Sequence, residues 1–513
     1  MKKILLSMIG LILLVFALSG ISYGWQGRMG AMGDPFGLVA DESDFLIHPA
    51  KIANGEGLRF YGDYRFTYSG IIDWDNDLYR FNYPSGTPAD YFLFDTSGQE
   101  TTHDVLLGTA FPLGPGRMGL FFSYSGKRGD YDGYENTYGI YDLEYNLMSD
   151  HDNFDLKCLY GLQVMGLNVG LELAMAHYNE EQEVWYNYVD FSLGGRKNYP
   201  FVAILGANLF DFMIPYDSRY WELQWKAGVE KRFDSFDIEV SLRGGHIISS
   251  DNSYEYVAEQ PVGTVFSYVD MGGDVAGWRL GSDIWLRYNA GNGVTLPFVF
   301  SVDYAEKKRD GDGIGAFASN WAYEHDEDAL TIKVGGGVEK DLGHHTLVAA
   351  GLYYAYLQRR DATWFYARYF WGGVTDRNNA KYPLHQEHVA ILRGVLEKDL
   401  SPLFTMRMGL DFFYGWAKEE FKHSSNDIGP GSVPQTDTSS LDGPRWGIEG
   451  SIGGSIKFKR FTLEPFLTAG YQDSNLSGDG ERIVGGATST LFDQDKTLRE
   501  WFISTGLSIL YDL

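Results

Sequence analysis

From Phe236 to Leu242 apolar and polar residues alternate without a miss, and the same alternation recurs in segment after segment up to the final residue, Leu513. In an extended strand successive side chains point to opposite faces. Phe236, Ile238, Val240 and Leu242 therefore share one side, while Asp237, Glu239, Ser241 and Arg243 share the other. One face suits lipid and the other water. A soluble sandwich also alternates, but its connections do not switch systematically between very short and very long, as these do. The pattern predicts an all-β chain: a transmembrane outer-membrane β-barrel of about 14–16 antiparallel strands.

The start of the chain points to the compartment. Lys2 and Lys3 precede the apolar run Ile4 to Leu18, and Ser22-Tyr23-Gly24 has the small-x-small pattern of a cleavage site. Residues 1–24 are expected to be a cleaved signal peptide, leaving Trp25 as the first mature residue. No second apolar run long enough for a helical span is present. An exported chain of this kind belongs in the outer membrane of a Gram-negative-type cell, with outer-membrane lipid as its first partner. The only cysteine, Cys158, rules out an internal disulfide, a multi-cysteine metal site and a CxxCH haem attachment, and strand parity turns it toward lipid. Aromatic residues make up 16% of the chain, with 35 Tyr and 13 Trp, which suits the interfacial girdles of such barrels. The formal charge of −27 argues against a nucleic-acid partner.

Strands are expected near 57–69, 103–111, 117–125, 153–163, 167–177, 219–230, 236–247, 276–288, 294–306, 328–339, 345–357, 386–398, 404–418, 445–458, 461–472 and 499–513. Tight links such as Pro112-Leu113-Gly114-Pro115-Gly116 alternate with long acidic, aromatic loops such as Gly70 to Thr102 and Lys127 to Asp152. Parity puts Trp221, Leu223, Trp225, Ala227, Val229, Phe404, Met406, Met408, Leu410 and Phe412 outside. It puts Glu222, Gln224, Lys226, Glu230, Arg279, Asp283, Arg287, Lys333, Glu339, Arg393, Glu397, Arg407, Asp411 and Glu464 inside. Both signs face inward, which predicts an ionic ladder bracing the lumen. Leu507, Ile509, Tyr511 and Leu513 alternate to the carboxyl terminus, resembling the terminal signal for barrel insertion, with Leu in place of the usual final Phe.

Residues 25–56 do not alternate. They run through Gly27-Arg28-Met29-Gly30-Ala31-Met32-Gly33-Asp34-Pro35-Phe36-Gly37, Ala40-Asp41-Glu42-Ser43-Asp44 and His48-Pro49-Ala50-Lys51-Ile52-Ala53. Gly turns, apolar anchors and the capping residues Asp41 and Ser43 point to an ordered hatch folded into the lumen, followed by the barrel over 57–513. Here the chain resembles the outer-membrane long-chain fatty acid transporter family (FadL type). Mature members of that family begin with a Gly-rich hatch containing alanine-aspartate and then asparagine-proline-alanine. Gly30, Gly33, Ala40, Asp41, Pro49 and Ala50 carry the resemblance, and His48 replaces the asparagine. Sixteen strands would depart from the family's usual fourteen.

The resemblance implies transport of hydrophobic small molecules such as long-chain fatty acids or hydrocarbons. It implies no enzyme activity and no cofactor. It also gives meaning to the apolar run Phe201 to Pro215 in an outer loop, where Phe201, Ile204, Leu205, Phe210, Phe212 and Met213 would form a capture groove, the alternative being a loop folded into the barrel mouth as a lid. A ligand would then rest against the hatch near Trp25, Met29, Met32 and Phe36. Release would follow a shift of the hatch or a wall gap at a bend near Gly119 or Gly126. Two alternatives stand beside this reading. One is a plugged barrel whose loops bind a periplasmic or surface protein; the other is a general porin.

Asp73-Trp74-Asp75-Asn76-Asp77 begins like a calcium loop, but Leu78 and Pro84 occupy positions where Gly and Glu are needed, and Asp310-Gly311-Asp312-Gly313 is similarly incomplete. His344-His345 falls in a predicted periplasmic turn, where solvated residues are expected rather than ligands. No Ser/His/Asp spacing points to catalysis, and no metal site is expected.

Overall fold

A computed structural model describes residues 27–32, 37–40, 42–81, 91–137, 141–190, 216–259, 265–315, 318–369, 375–381, 383–428, 435–484 and 488–513. The strands are β1 (Arg59–Phe81), β2 (Tyr91–Leu113), β3 (Gly116–Thr137), β4 (Tyr141–Val164), β5 (Leu167–Asp190), β6 (Tyr216–Arg232), β7 (Phe236–Glu259), β8 (Val265–Gly291) and β9 (Val294–Gly315). They continue with β10 (Ala318–Asp341), β11 (Thr346–Tyr369), β12 (Thr375–Lys381), β13 (Leu384–Ser401), β14 (Phe404–Ile428), β15 (Gln435–Phe458), β16 (Phe461–Val484) and β17 (Thr488–Asp512). Apart from β12 and β13, which share the partners β11 and β14, each pairs antiparallel with its sequence neighbour, and β1 pairs with β17 from Arg59↔Asp512 to Phe81↔Leu491, closing the sheet on itself. Closure removes every free edge, the condition for crossing a bilayer with strands.

β12 and β13 are two halves of one stave. Both keep the same register against β11 and β14, and the break falls at Pro383, which has no N–H for the ladder. Asp361 N–H donates instead to the Pro383 carbonyl at 3.1 Å. The wall is thus a sixteen-strand barrel. Among the described residues no helix is long and apolar enough to cross a membrane.

The short links are as tight as expected. Met165-Gly166 and Gly291-Asn292-Gly293 turn with positive φ, as do Gly343, His344 and His345. His345 is 80% exposed, in keeping with a solvated turn. The outer side departs from expectation. Most strands run 22 to 27 residues, so much of the predicted loops 70–102 and 127–152 is wall. At about 3.3 Å per residue and about 45° of tilt, such staves rise about 50–60 Å, roughly twice the apolar band of about 25 Å. Where side chains of these acidic stretches are described, as at Arg128, Asp130 and Asp150, the outward residues are polar, which hid the strands from a hydrophobicity reading. Asp73–Asp77 and Asp310–Gly313 are consequently strand residues, not calcium loops. Gly119 and Gly126 lie in unbroken ladders with both neighbours, so neither bends the wall.

Lipid and lumen faces follow the predicted parity. Leu223, Trp225, Val229, Phe404, Met408, Leu410 and Phe412 are exposed on the outside, and Cys158 is exposed beside them. Tyr, Trp and His cluster about ten residues up from the short turns. Phe154, His177 and Trp221 pack together there, as do Phe66 with His103 and Tyr356 with His388.

Candidate functional site

The N-terminal segment lies inside the lower barrel. It forms one helical turn, α1 (Gly27–Gly30), and two 3-10 helices, Glu42–Leu46 and Pro49–Asn54. Short helices satisfy some backbone groups locally where no sheet edge is offered. Two apolar contacts seat the segment on opposite walls. Met29, Met32, Leu38 and Val39 pack against Trp285, Val299, Ala349, Tyr353 and Val395. Phe45 and Ile52 pack against Tyr61, Leu106, Ala110, Phe121 and Leu159, with Phe45 ring centroids 5.8 Å from Tyr61 and 5.4 Å from Phe121.

Close approach is made possible by glycines on the inner parity of the wall. A Cβ at Gly170 would stand 2.2 Å from the Pro49 carbonyl carbon, and one at Gly409 would stand 2.2 Å from the Met32 carbonyl oxygen. These contacts are with backbone, which cannot swing away. Gly170→Val is therefore expected to unseat Pro49–Asn54 at a cost of about 1–3 kcal/mol, read as faster protease cleavage within residues 42–54. Gly450→Val, where a Cβ meets nothing within 4 Å, should leave cleavage unchanged.

Polar contacts fasten the segment as well. Arg28 Nε and Nη2 donate to the Glu397 carboxylate at 2.8 and 3.0 Å, and Arg407 holds the same carboxylate at 2.6 Å. Lys51 Nζ sits 2.7 Å from Asp44 and 3.1 Å from Glu239. Lys226 Nζ donates to the Leu46 carbonyl at 2.6 Å, Asn54 donates to Glu230 at 2.8 Å, and Arg117 donates to the Gly57 carbonyl at 2.7 Å. Against the burial that lowers it, Asp44 and Glu239 hold the Lys51 ammonium above the usual lysine range.

His48 is 1% exposed, with its ring edge-on to Trp285 at 4.4 Å between centroids. Burial first, and then the charges of Lys51, Lys226 and Arg243, push its pKa down to about 2. Glu239 lies 3.9 Å away but is engaged by Lys51 at 3.1 Å, so the imidazole is held neutral. An unseated histidine would titrate near 6.5. Seating therefore keeps the full His48 contribution above pH 6.5 and loses about 1.4 kcal/mol per unit as pH falls from there toward 2. Relative to His48→Asn, cleavage of the segment in the unchanged chain is expected to accelerate as pH falls from about 7.5 to about 4.5.

The predicted hatch residues are thus partly brought together. Gly30, Pro49 and Ala50 are buried against the wall with His48, while Ala40 is exposed and its carbonyl accepts from Arg28 at 2.8 Å. Met29 and Met32 meet protein side chains rather than open lumen. Trp25, Gly33, Phe36, Asp41 and the run holding Phe201, Ile204, Leu205, Phe210, Phe212 and Met213 lie outside the described residues, as does the side chain of Ser43.

The expected ionic ladder is present. Arg279 pairs with Glu222 at 2.7 Å, Arg287 with Glu339 at 2.7 Å, Arg407 with Glu464 at 2.8 Å, and Arg393 with Asp411. Higher up, Glu180 accepts from Lys307 at 3.2 Å and Arg309 at 2.6 Å, and Lys307 lies over the Tyr220 ring. The upper lumen is therefore ionic and aromatic rather than plainly apolar. The sequence reading missed the inward glycines and the inward apolar residues Leu106, Phe121, Leu159 and Trp285. Their signal was a small or apolar residue at a parity that is otherwise polar.

No family model and no curated protein matches the chain. Among solved structures it is similar to the toluene transporter TodX of Pseudomonas putida, at 11% identity over 96% of this chain and 99% of that one, with a TM-score of 0.38. A FadL homologue of Pseudomonas aeruginosa matches at 10% identity over 96% and 99%, TM-score 0.38. The toluene transporter TbuX of Ralstonia pickettii matches at 12% identity over 97% and 100%, TM-score 0.35.

Proposed function

We propose that this chain is a hatch-gated channel of the outer membrane that passes hydrophobic small molecules such as long-chain fatty acids or hydrocarbons. The observation that carries the proposal is the pair of apolar stripes on the inner wall, Tyr61, Leu106, Phe121 and Leu159 on one side and Trp285, Val299, Tyr353 and Val395 on the other. A permanently wet pore gains nothing from such stripes. Beneath a segment that can shift, they offer an apolar ligand the same burial they give Met29 and Phe45, at roughly 25 cal/mol per Å2. The Gly-rich start of the segment supports the same reading, and the ionic upper lumen would act as a vestibule. The tall wall beyond the lipid belt favours the rival reading, a closed barrel that presents surface to a protein.

Proteoliposomes offered a fluorescent long-chain fatty acid and a small sugar separate the readings, with empty vesicles correcting for spontaneous flip. Fatty acid entry with sugar excluded is the expected result. Sugar entry by the intact chain would indicate a porin, and entry of neither would leave the protein-binding scaffold.

A further inference from the structure

Just above the aromatic girdle the outer wall carries a ring of cations. Arg128 on β3, Arg219 on β6, Lys308 on β9, Arg360 on β11, Lys418 on β14 and Arg499 on β17 all have the outward parity of their strands. Each lies about thirteen residues from the short-turn end of its strand, about 30 Å up at about 45° of tilt. That places them immediately beyond an apolar band of about 25 Å. Their side chains are 75%, 51%, 51%, 55%, 43% and 43% exposed, in that order. Tyr304, Trp416 and Trp501 stand four, two and two residues below Lys308, Lys418 and Arg499 on the same strands and the same face, so the ring is continuous with the lipid belt.

Outward acids hold these heads at that height. Asp150 lies 3.1 Å from Arg128, Asp326 3.3 Å from Lys308 and Asp328 3.7 Å from Arg360. What occupies this level around a membrane-embedded barrel is lipid headgroup. A guanidinium offers five donors in a fork that matches phosphate, and a single carboxylate does not exhaust them. The other three cations are paired in the same way, Arg219 with Glu181 at 3.4 Å, Lys418 with Glu420 at 2.5 Å and Arg499 with Asp473 at 3.7 Å, so a phosphate group would join existing ion pairs rather than meet bare cations.

We propose that this ring binds the phosphorylated headgroups of outer-leaflet glycolipid. The proposal does not depend on what passes through the lumen. Native mass spectrometry of the full chain in neutral detergent, titrated with diphosphoryl lipid A, fully dephosphorylated lipid A or phosphatidylethanolamine, tests it. The intact chain is expected to prefer the diphosphoryl form by about tenfold or more, and Arg128→Gln/Arg219→Gln/Arg360→Gln should abolish that preference. Arg359→Gln provides the matched control, because Arg359 is next to Arg360 but has the lumen parity and pairs with Glu327 and Asp361. Asp150→Asn should strengthen phosphate binding. If the triple variant does not migrate as a folded barrel, Arg360→Gln against Arg359→Gln gives the same comparison. Equal binding of phosphorylated and dephosphorylated lipid, or equal effects of the 359 and 360 substitutions, would overturn the proposal.

Discussion

Removal of residues 27–54, with residues 1–26 retained, is expected to turn a barrel that excludes sugars into one that admits them. Sixteen strands enclose enough cross-section for an aqueous channel. In this chain that space in the lower barrel is taken up by Met29, Met32, Leu38, Phe45 and Ile52, each buried to 6% exposure or less. Once they are gone, the remaining inner wall mixes apolar stripes with Glu239, Glu397, Arg407 and Lys226, enough charge to keep the lumen wet. Sugar entry into proteoliposomes should rise by about tenfold or more over the intact chain, a porin-like rate. The wall is held by its own ladders, so the truncated chain should still migrate as a folded, heat-modifiable barrel. A folded truncation that still excludes sugar would mean that the upper wall, not the segment, closes the passage.

Lys51→Met should loosen the segment more than any other single change to it. The substitution keeps most of the side chain but takes the ammonium away from two buried carboxylates, Asp44 at 1% and Glu239 at 4% side-chain exposure. Breaking a buried pair by removing one partner costs about 3–5 kcal/mol. Equilibrium exposure of residues 42–54 to protease should rise by about two orders of magnitude or more. Adding Asp44→Asn and Glu239→Gln removes the stranded charges, and the triple variant should recover much of the loss, since residues in one network do not add. A triple variant no better seated than Lys51→Met would show that the ammonium acts through packing over Trp285, 5.1 Å from the ring centroid, rather than through its charge.

How much of this was legible beforehand differs between wall and contents. Parity along 219–230 and 404–418 sorted lipid from lumen because a transmembrane strand repeats one simple rule. The same rule failed above the girdle, where Arg128 and Asp150 face out and Lys127 and Glu100 pair inside. Both faces are polar there, so nothing in hydrophobicity marks the strand. Glycines and apolar anchors set residues 25–56 apart from the barrel pattern, and among the described residues His48, Pro49 and Ala50 are buried. Which wall residues receive them could not be read, because Lys51 and Glu239, or Arg28 and Glu397, meet only after the sheet has closed. The inner glycines were visible as letters but not as a cradle, since a glycine in a strand has many meanings until its neighbour is known.

The place where the chain passes from contents to wall also orders its assembly. Leu513 N–H donates to the Leu58 carbonyl at 2.9 Å, and Gly57, at φ +62, has the Leu513 carbonyl 3.5 Å from where a Cβ would lie. The bend that leads out of the lumen is therefore made against the carboxyl terminus, at the seam where the last strand meets the first. The order of events in biogenesis is constrained accordingly: completing the wall and installing what it encloses converge on one joint, and the final hydrogen bonds of closure also fix the point from which the N-terminal segment hangs.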